Sequence, residues 1–181
     1  QIGVLVAHGH LYWVPWACDC NLQMFGMIAC APAARFQFGQ QAAESQRLER
    51  SQDLSAAPLE PDASDWPTYR ANNHRTAQTS VAIPGKVKLL WRFAGPPLVE
   101  PTAPVAAGRL VFFASSDGIV RALDAATGQV RWIAYTGGAV RYPPTIANGR
   151  ALVGSGDGWA YAFEATTGRL LWRFRAAPVE R

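Results

Sequence analysis

Long runs of any one residue class are missing from this 181-residue chain. No stretch approaches the roughly twenty uninterrupted apolar residues that a membrane-spanning helix needs, so no membrane span is expected. Only 17% of the residues are charged, and the arginines behind the net charge of +4 stand mostly singly. Without a run of Lys and Arg there is no basic stripe to track a phosphate backbone, and a nucleic-acid partner is not expected. Cysteines number three, Cys18, Cys20 and Cys30, and no Cys-x-x-Cys-His occurs, which argues against a covalently held c-type haem.

What is present is apolar and aromatic. Hydrophobic residues make up 49% of the chain, with seven Trp, five Tyr and eight Phe. That supports a packed core and is incompatible with disorder throughout. Large flat side chains suit sheet faces, where they pack against cross-strand neighbours. Three regions separate by composition. Residues 1–38 are apolar and hold all three cysteines. Residues 39–64 are polar, rich in Ala, Gln and Ser, and read as a linker or a solvated short helix. "APLEPDASDWP" marks the boundary beyond which the pattern becomes periodic, over 65–181. The opening "QIGVLV" already reads as strand interior, so the chain is expected to be a piece of a longer polypeptide.

The period is about forty residues. Trp91, Trp132 and Trp172 are separated by 41 and 40 residues, and Asp117-Gly118 precedes Asp157-Gly158 by 40. Gly108-Arg109 and Gly149-Arg150 repeat at 41. With turn signals roughly every ten residues, this is the spacing of a propeller blade built from four short strands. The first blade, about 101–137, reads "TAPVAA", "RLVFFAS", "GIVRALD" and "QVRWIAY" from inner to outer strand. The second, about 141–177, reads "PPTIAN", "RALVGS", "GWAYAFE" and "RLLWRFR". Asp-Gly supplies the hairpin between the second and third strands, and the Gly of "AATG" or "ATTG" takes a left-handed position before the outer strand. Asp117 and Asp157 are therefore expected as turn residues and not as bases. The expected fold is all-β: a partial β-propeller of four-stranded antiparallel blades, about two of them plus a starting strand, with a less regular N-terminal segment. Each repeated Trp would fill the wedge between neighbouring sheets.

The eleven-residue pattern "ALDAATGQVRW" resembles the tryptophan-docking motif of the quinoprotein-type, or PQQ-like, β-propeller repeats. The first copy matches at Ala122, Asp124, Gly128 and Trp132. The second, "AFEATTGRLLW", matches at Ala162, Gly168 and Trp172 and carries Glu164 where Asp is usual. "DWPTYRANNHRTAQT" resembles the opening of BamB-like bacterial propellers, in which the following "KLLWRF" would be an outer strand used in ring closure. The family's enzymes hold pyrroloquinoline quinone and calcium in a central channel, under a disulfide between adjacent cysteines. This chain has no adjacent cysteines, and its inner strands offer only Asn148 at one margin. The resemblance therefore implies a non-catalytic binding or assembly scaffold in the bacterial envelope, with no catalytic, cofactor or metal residue and a protein or other envelope component as partner. The alternative is a fragment of a quinone-dependent dehydrogenase, an enzyme whose quinone and calcium site other blades would supply. The resemblance also implies a periplasmic or extracellular setting.

The N-terminal segment leaves alternatives open. "GHLYWVP" echoes "GRLVFFA", which suggests a strand remnant of an upstream element. In an extended chain His8 and His10 share a face, as do Cys18 and Cys20, so each pair can present two ligands to one metal. The same cysteines suit burial or a disulfide. "MIAC", ending at Cys30, faintly resembles a lipid-attachment box, but the apolar stretch before it is broken by Pro15 and Asp19.

Overall fold

Alternation of large and small apolar residues on short strands sets the architecture. The computed structural model describes residues 4–7, 10–13, 28–30 and 43–176, in two units, Gln1–Gln41 and Ala42–Arg181. The first holds β1 (Val4–Ala7), β2 (His10–Trp13) and β3 (Ile28–Cys30), an antiparallel sheet in that order. The Cys30 thiol is free and exposed. His8, Cys18 and Cys20 lie outside the described residues, among which no cluster of three metal-ligating side chains occurs.

The second unit begins with a single helical turn, α1 (Glu44–Arg47), and β4 (Leu48–Arg50). Two blades follow. The first is β5 (Val105–Ala107), β6 (Leu110–Ala114), β7 (Ile119–Asp124) and β8 (Val130–Tyr135), hydrogen-bonded in sequence order. The second is β9 (Thr145–Ala147), β10 (Arg150–Gly154), β11 (Trp159–Glu164) and β12 (Leu170–Arg175). These eight strands fall within the eight read from the sequence. All neighbours are antiparallel, and each blade has a register shift between its third and outer strands, after Ala122 and after Ala162.

The core lies between the two sheets. Ala114, Ala122, Ala151 and Ala162 are fully buried, and these small side chains let the sheets approach while Phe112, Phe163 and Trp132 fill the space. Phe112 and Trp132 meet with ring centroids 6.0 Å apart. Each large side chain buried this way contributes roughly 1.5–3 kcal/mol. The inner hairpins use two-residue loops, Gly108-Arg109 and Asn148-Gly149, with positive φ at all four positions. That is the backbone of the turn whose twist matches its flanking strands. Asn148 therefore has a turn role. In the Asp-Gly hairpins only the Gly takes a positive φ. Asp117 and Asp157 instead accept the N–H of Ile119 and Trp159 at 3.0 Å.

Within the polar stretch 39–64, the described residues from 43 onward do more than connect. Leu48–Arg50 adds a fifth strand to the outer edge of the second blade, with Arg50 opposite Trp172. The Ser51 N–H donates to Leu171 O at 2.8 Å, and Arg169 donates to the carbonyls of Asp53 and Ser55. An exposed outer edge is an aggregation hazard, and this arm covers it. The sequence could not reveal this, because a three-residue strand of Leu, Glu and Arg has no hydrophobic period. "KLLWRF" differs in the other direction. It forms no strand, since no partner strand for it is present among the described residues, and Leu89 and Leu90 are exposed.

The Asp117 side chain is only 21% exposed. Desolvation pushes its pKa up, but hydrogen bonds from Arg121, Ser115 and the Ile119 N–H, with the Arg121 charge, outweigh it and hold the pKa at about 2. A depressed carboxylate stabilises the fold above its unfolded value, near 4, and loses that contribution as pH falls through the folded value. Stability of the wild-type chain is expected to drop by about 1 kcal/mol more than that of Asp117→Asn between pH 4 and 2, allowing for solvent screening of the pair. Chemical denaturation across that range checks this, and equal slopes for the two proteins would contradict it.

Candidate functional site

Two places in the second unit gather the residues the sequence singled out or passed over. The first is the joint between blades. Trp132 stands on β8, and its Nε1–H donates to Ala165 O in the turn after β11 at 2.9 Å. Its ring lies flat against Gly168, where a Cβ would sit 2.6 Å from the indole and where φ is +77°. Only glycine meets both demands. The contact recurs one blade earlier: Trp91 Nε1–H donates to Ala125 O at 2.9 Å and its ring covers Gly128. Ala122 and Ala162 sit opposite Trp132 and Trp172 in their ladders, with no exposed surface.

The acids of the two motifs differ in use. Asp124 Oδ1 accepts the N–H groups of Ala126 and Thr127, closing the turn on itself. Both acids accept from the turn threonine, Asp124 from Thr127 Oγ1 and Glu164 from Thr167 Oγ1, but the longer Glu164 also accepts from Arg169 Nε and from the Ala57 N–H of the arm. These bonds, the one from Thr167 foremost, lower its pKa despite burial. Glu at this position thus ties the arm to the blade. Asp157 is also an inter-blade contact, accepting from Tyr161 and from the Gly137 N–H of the loop after β8. Trp172, the third repeated Trp, faces an open, mostly apolar cleft of about 410 Å³ with Leu48, Leu54, Ala160 and Phe174, and no turn is seated on it among the described residues.

The second place is the inner edge. Trp66 exchanges two backbone hydrogen bonds with Ala106 of β5, at 2.7 and 3.0 Å. The next residue, Pro67, accepts the N–H of Ile146 on β9 at 2.7 Å, and Thr68 Oγ1 meets Thr145 Oγ1 at 2.8 Å. "DWPT" is therefore a strap joining the inner strands of both blades. Beyond it, Arg70, Ala71, Arg75 and Ala77 all hold positive φ, an unusual concentration for residues that are not glycine. Between this loop and the start of β9 lies a cleft of about 590 Å³, lined by Thr68, Tyr69, Arg75, Arg141, Tyr142 and Thr145 among others. Periodicity could not find it, because none of these residues belongs to the repeated eleven-residue motif. The segment "DWPTYRANNHRTAQT" supplies Thr68, Tyr69 and Arg75 of it.

The family model described as outer membrane protein assembly factor BamB matches residues 83–180. Among curated proteins, the dehydrogenase subunit of the quinone alcohol dehydrogenase from Gluconobacter oxydans is 38% identical over a match covering 38% of this chain and 11% of that protein. The quinohemoprotein alcohol dehydrogenase of Comamonas testosteroni superposes with a TM-score of 0.51 at 22% identity, over 62% of this chain and 19% of that one, a likeness of fold. BamB from Moraxella catarrhalis matches 37% of this chain and 21% of its own length at 24% identity, with a TM-score of 0.35. The chain spans about a tenth of the length of the curated relatives it matches.

Trp132→Ala is expected to cost about 3–5 kcal/mol, as for a large buried ring removed without collapse of its site. Gly168→Ala should cost about 1–3 kcal/mol from backbone strain alone. Urea denaturation measures both, and a loss below about 1 kcal/mol for Trp132→Ala would place the ring outside the joint.

Proposed function

Because this chain belongs to the BamB-like family of PQQ-like propeller repeats, we propose that it is a non-catalytic module acting as a binding or assembly scaffold in the bacterial envelope. The observation that carries this reading is the use made of its acids. Asp117, Asp124, Asp157 and Glu164 each accept hydrogen bonds from their own turn, from the arm or from the neighbouring blade. None stands poised toward a substrate. The surface left for recognition is the inner-edge cleft and the loops around it, the usual binding face of propellers. A protein or other envelope component is the proposed partner, in the periplasm or at the cell exterior. No described helix is long and apolar enough to cross a membrane.

The likeness to quinone alcohol dehydrogenases favours a second reading, a piece of a pyrroloquinoline-quinone enzyme. The residues described here do not fit the implied calcium, which takes six to eight oxygen ligands. The inner strands read Val-Ala-Ala and Thr-Ile-Ala, and Asn148 is held in a hairpin turn. Adding pyrroloquinoline quinone and calcium to the full-length protein, with alcohols or sugars and an electron-accepting dye, separates the two. The scaffold reading expects no dye reduction and no quinone retained on gel filtration. Turnover would overturn it.

A further inference from the structure

The inner-edge cleft has a chemistry that neither reading requires. Two guanidiniums, Arg75 and Arg141, line it, together with the Thr68 and Thr145 hydroxyls, the rings of Tyr69 and Tyr142, and no carboxylate. Neither arginine forms an ion pair among the described residues. Glu100 shares a separate, smaller pocket with Arg141 without pairing with it. Arg75 lies over the Tyr69 ring at 5.7 Å, which fixes its direction while leaving its hydrogen-bond donors for another acceptor. Tyr142 is 80% exposed, so its ring face is available beside the arginines.

Strained backbone lies on the same side. Arg70, Ala71, Arg75 and Ala77 each adopt a left-handed conformation, and local bonds, including Asn72 Nδ2 to Thr76 Oγ1 and Ala77 N–H to Arg70 O, hold them there. Strain of this kind collects where a loop is held in a binding shape. The strap fastens the loop to both inner strands, so the cleft wall is anchored on rigid elements.

We infer that this cleft binds an acidic sugar, with the carboxylate between Arg75 and Arg141 and a ring face against tyrosine. A guanidinium offers paired donors that match a carboxylate. Tyr69 is engaged by Arg70 and Arg75, so the negative face of the exposed Tyr142 ring is the one that suits the polarised C–H face of a pyranose, and the hydroxyl-bearing lining suits its hydroxyls. The volume falls within the range of about 300–1,000 Å³ usual for small-molecule sites.

The inference is independent of whether other blades complete an enzyme. The test is calorimetric titration of the full chain with galacturonate, galactose, benzoate and inorganic phosphate. Galacturonate is expected to bind at least about tenfold more tightly than galactose, the equivalent of one charge-assisted pair. It should also exceed benzoate and phosphate. Arg141→Gln should remove that preference without changing the melting temperature, because Arg141 is exposed and makes no ion pair. Arg141→Lys should restore part of it. Absence of galacturonate binding, equal binding of galactose, a preference for benzoate or phosphate, or an unchanged preference in Arg141→Gln would each overturn the assignment. Galacturonate bound by a chain that also reduces dye with the quinone would keep this inference and overturn the scaffold reading.

Discussion

An indole lying on a glycine turn is the contact through which one sheet is positioned on the next. Trp132 delivers both halves of it: a hydrogen bond to the Ala165 carbonyl that fixes direction, and a ring face against Gly168 that fixes distance. Because the turn admits no Cβ, the spacing between sheets is set by the thickness of a ring. Trp91 reproduces the same geometry on the first blade, although the segment carrying it forms no strand. The joint is thus a local device that does not need a complete sheet behind the tryptophan. A chain that repeats the motif extends the stack by one blade per copy, as repeat architectures do.

Two segments outside the repeats turn stacked sheets into a tied structure. The arm covers the outer edge of the second blade with β4 and reaches Glu164 through Ala57. The strap crosses the inner edges of both blades through Trp66, Pro67 and Thr68. Outer edge, turn and inner edge are therefore held by one continuous run of chain from Leu48 to Thr68. The Glu in the second motif belongs to this arrangement, because Glu164 meets the arm through the Ala57 N–H while keeping its bond to Thr167.

The blades were legible because their signals are local. Asp-Gly and Thr-Gly turns and a Gly-Arg pair at fixed offsets determine where strands end, and a forty-residue interval between tryptophans shows that one sheet pattern recurs. The arm was not legible, since Leu-Glu-Arg becomes a strand only when the β12 edge is available to pair with. "KLLWRF" has strong strand character and forms none, for want of a partner. The cleft was hidden for a different reason: Arg75 and Arg141 are far apart in sequence, and only the strap brings their loops together. Period reports what repeats. Recognition surfaces are made from what does not.

Indole hydrogen exchange, followed by NMR with each tryptophan assigned, tests the central claim most directly. The Nε1–H of Trp132 is buried and bonded to Ala165 O, whereas Trp172 faces an open cleft with no acceptor among the described residues. The account predicts that the Trp132 proton is protected like the amides of the core strands and that the Trp172 proton exchanges rapidly. Equal, rapid exchange at both would show that the ring does not join the blades.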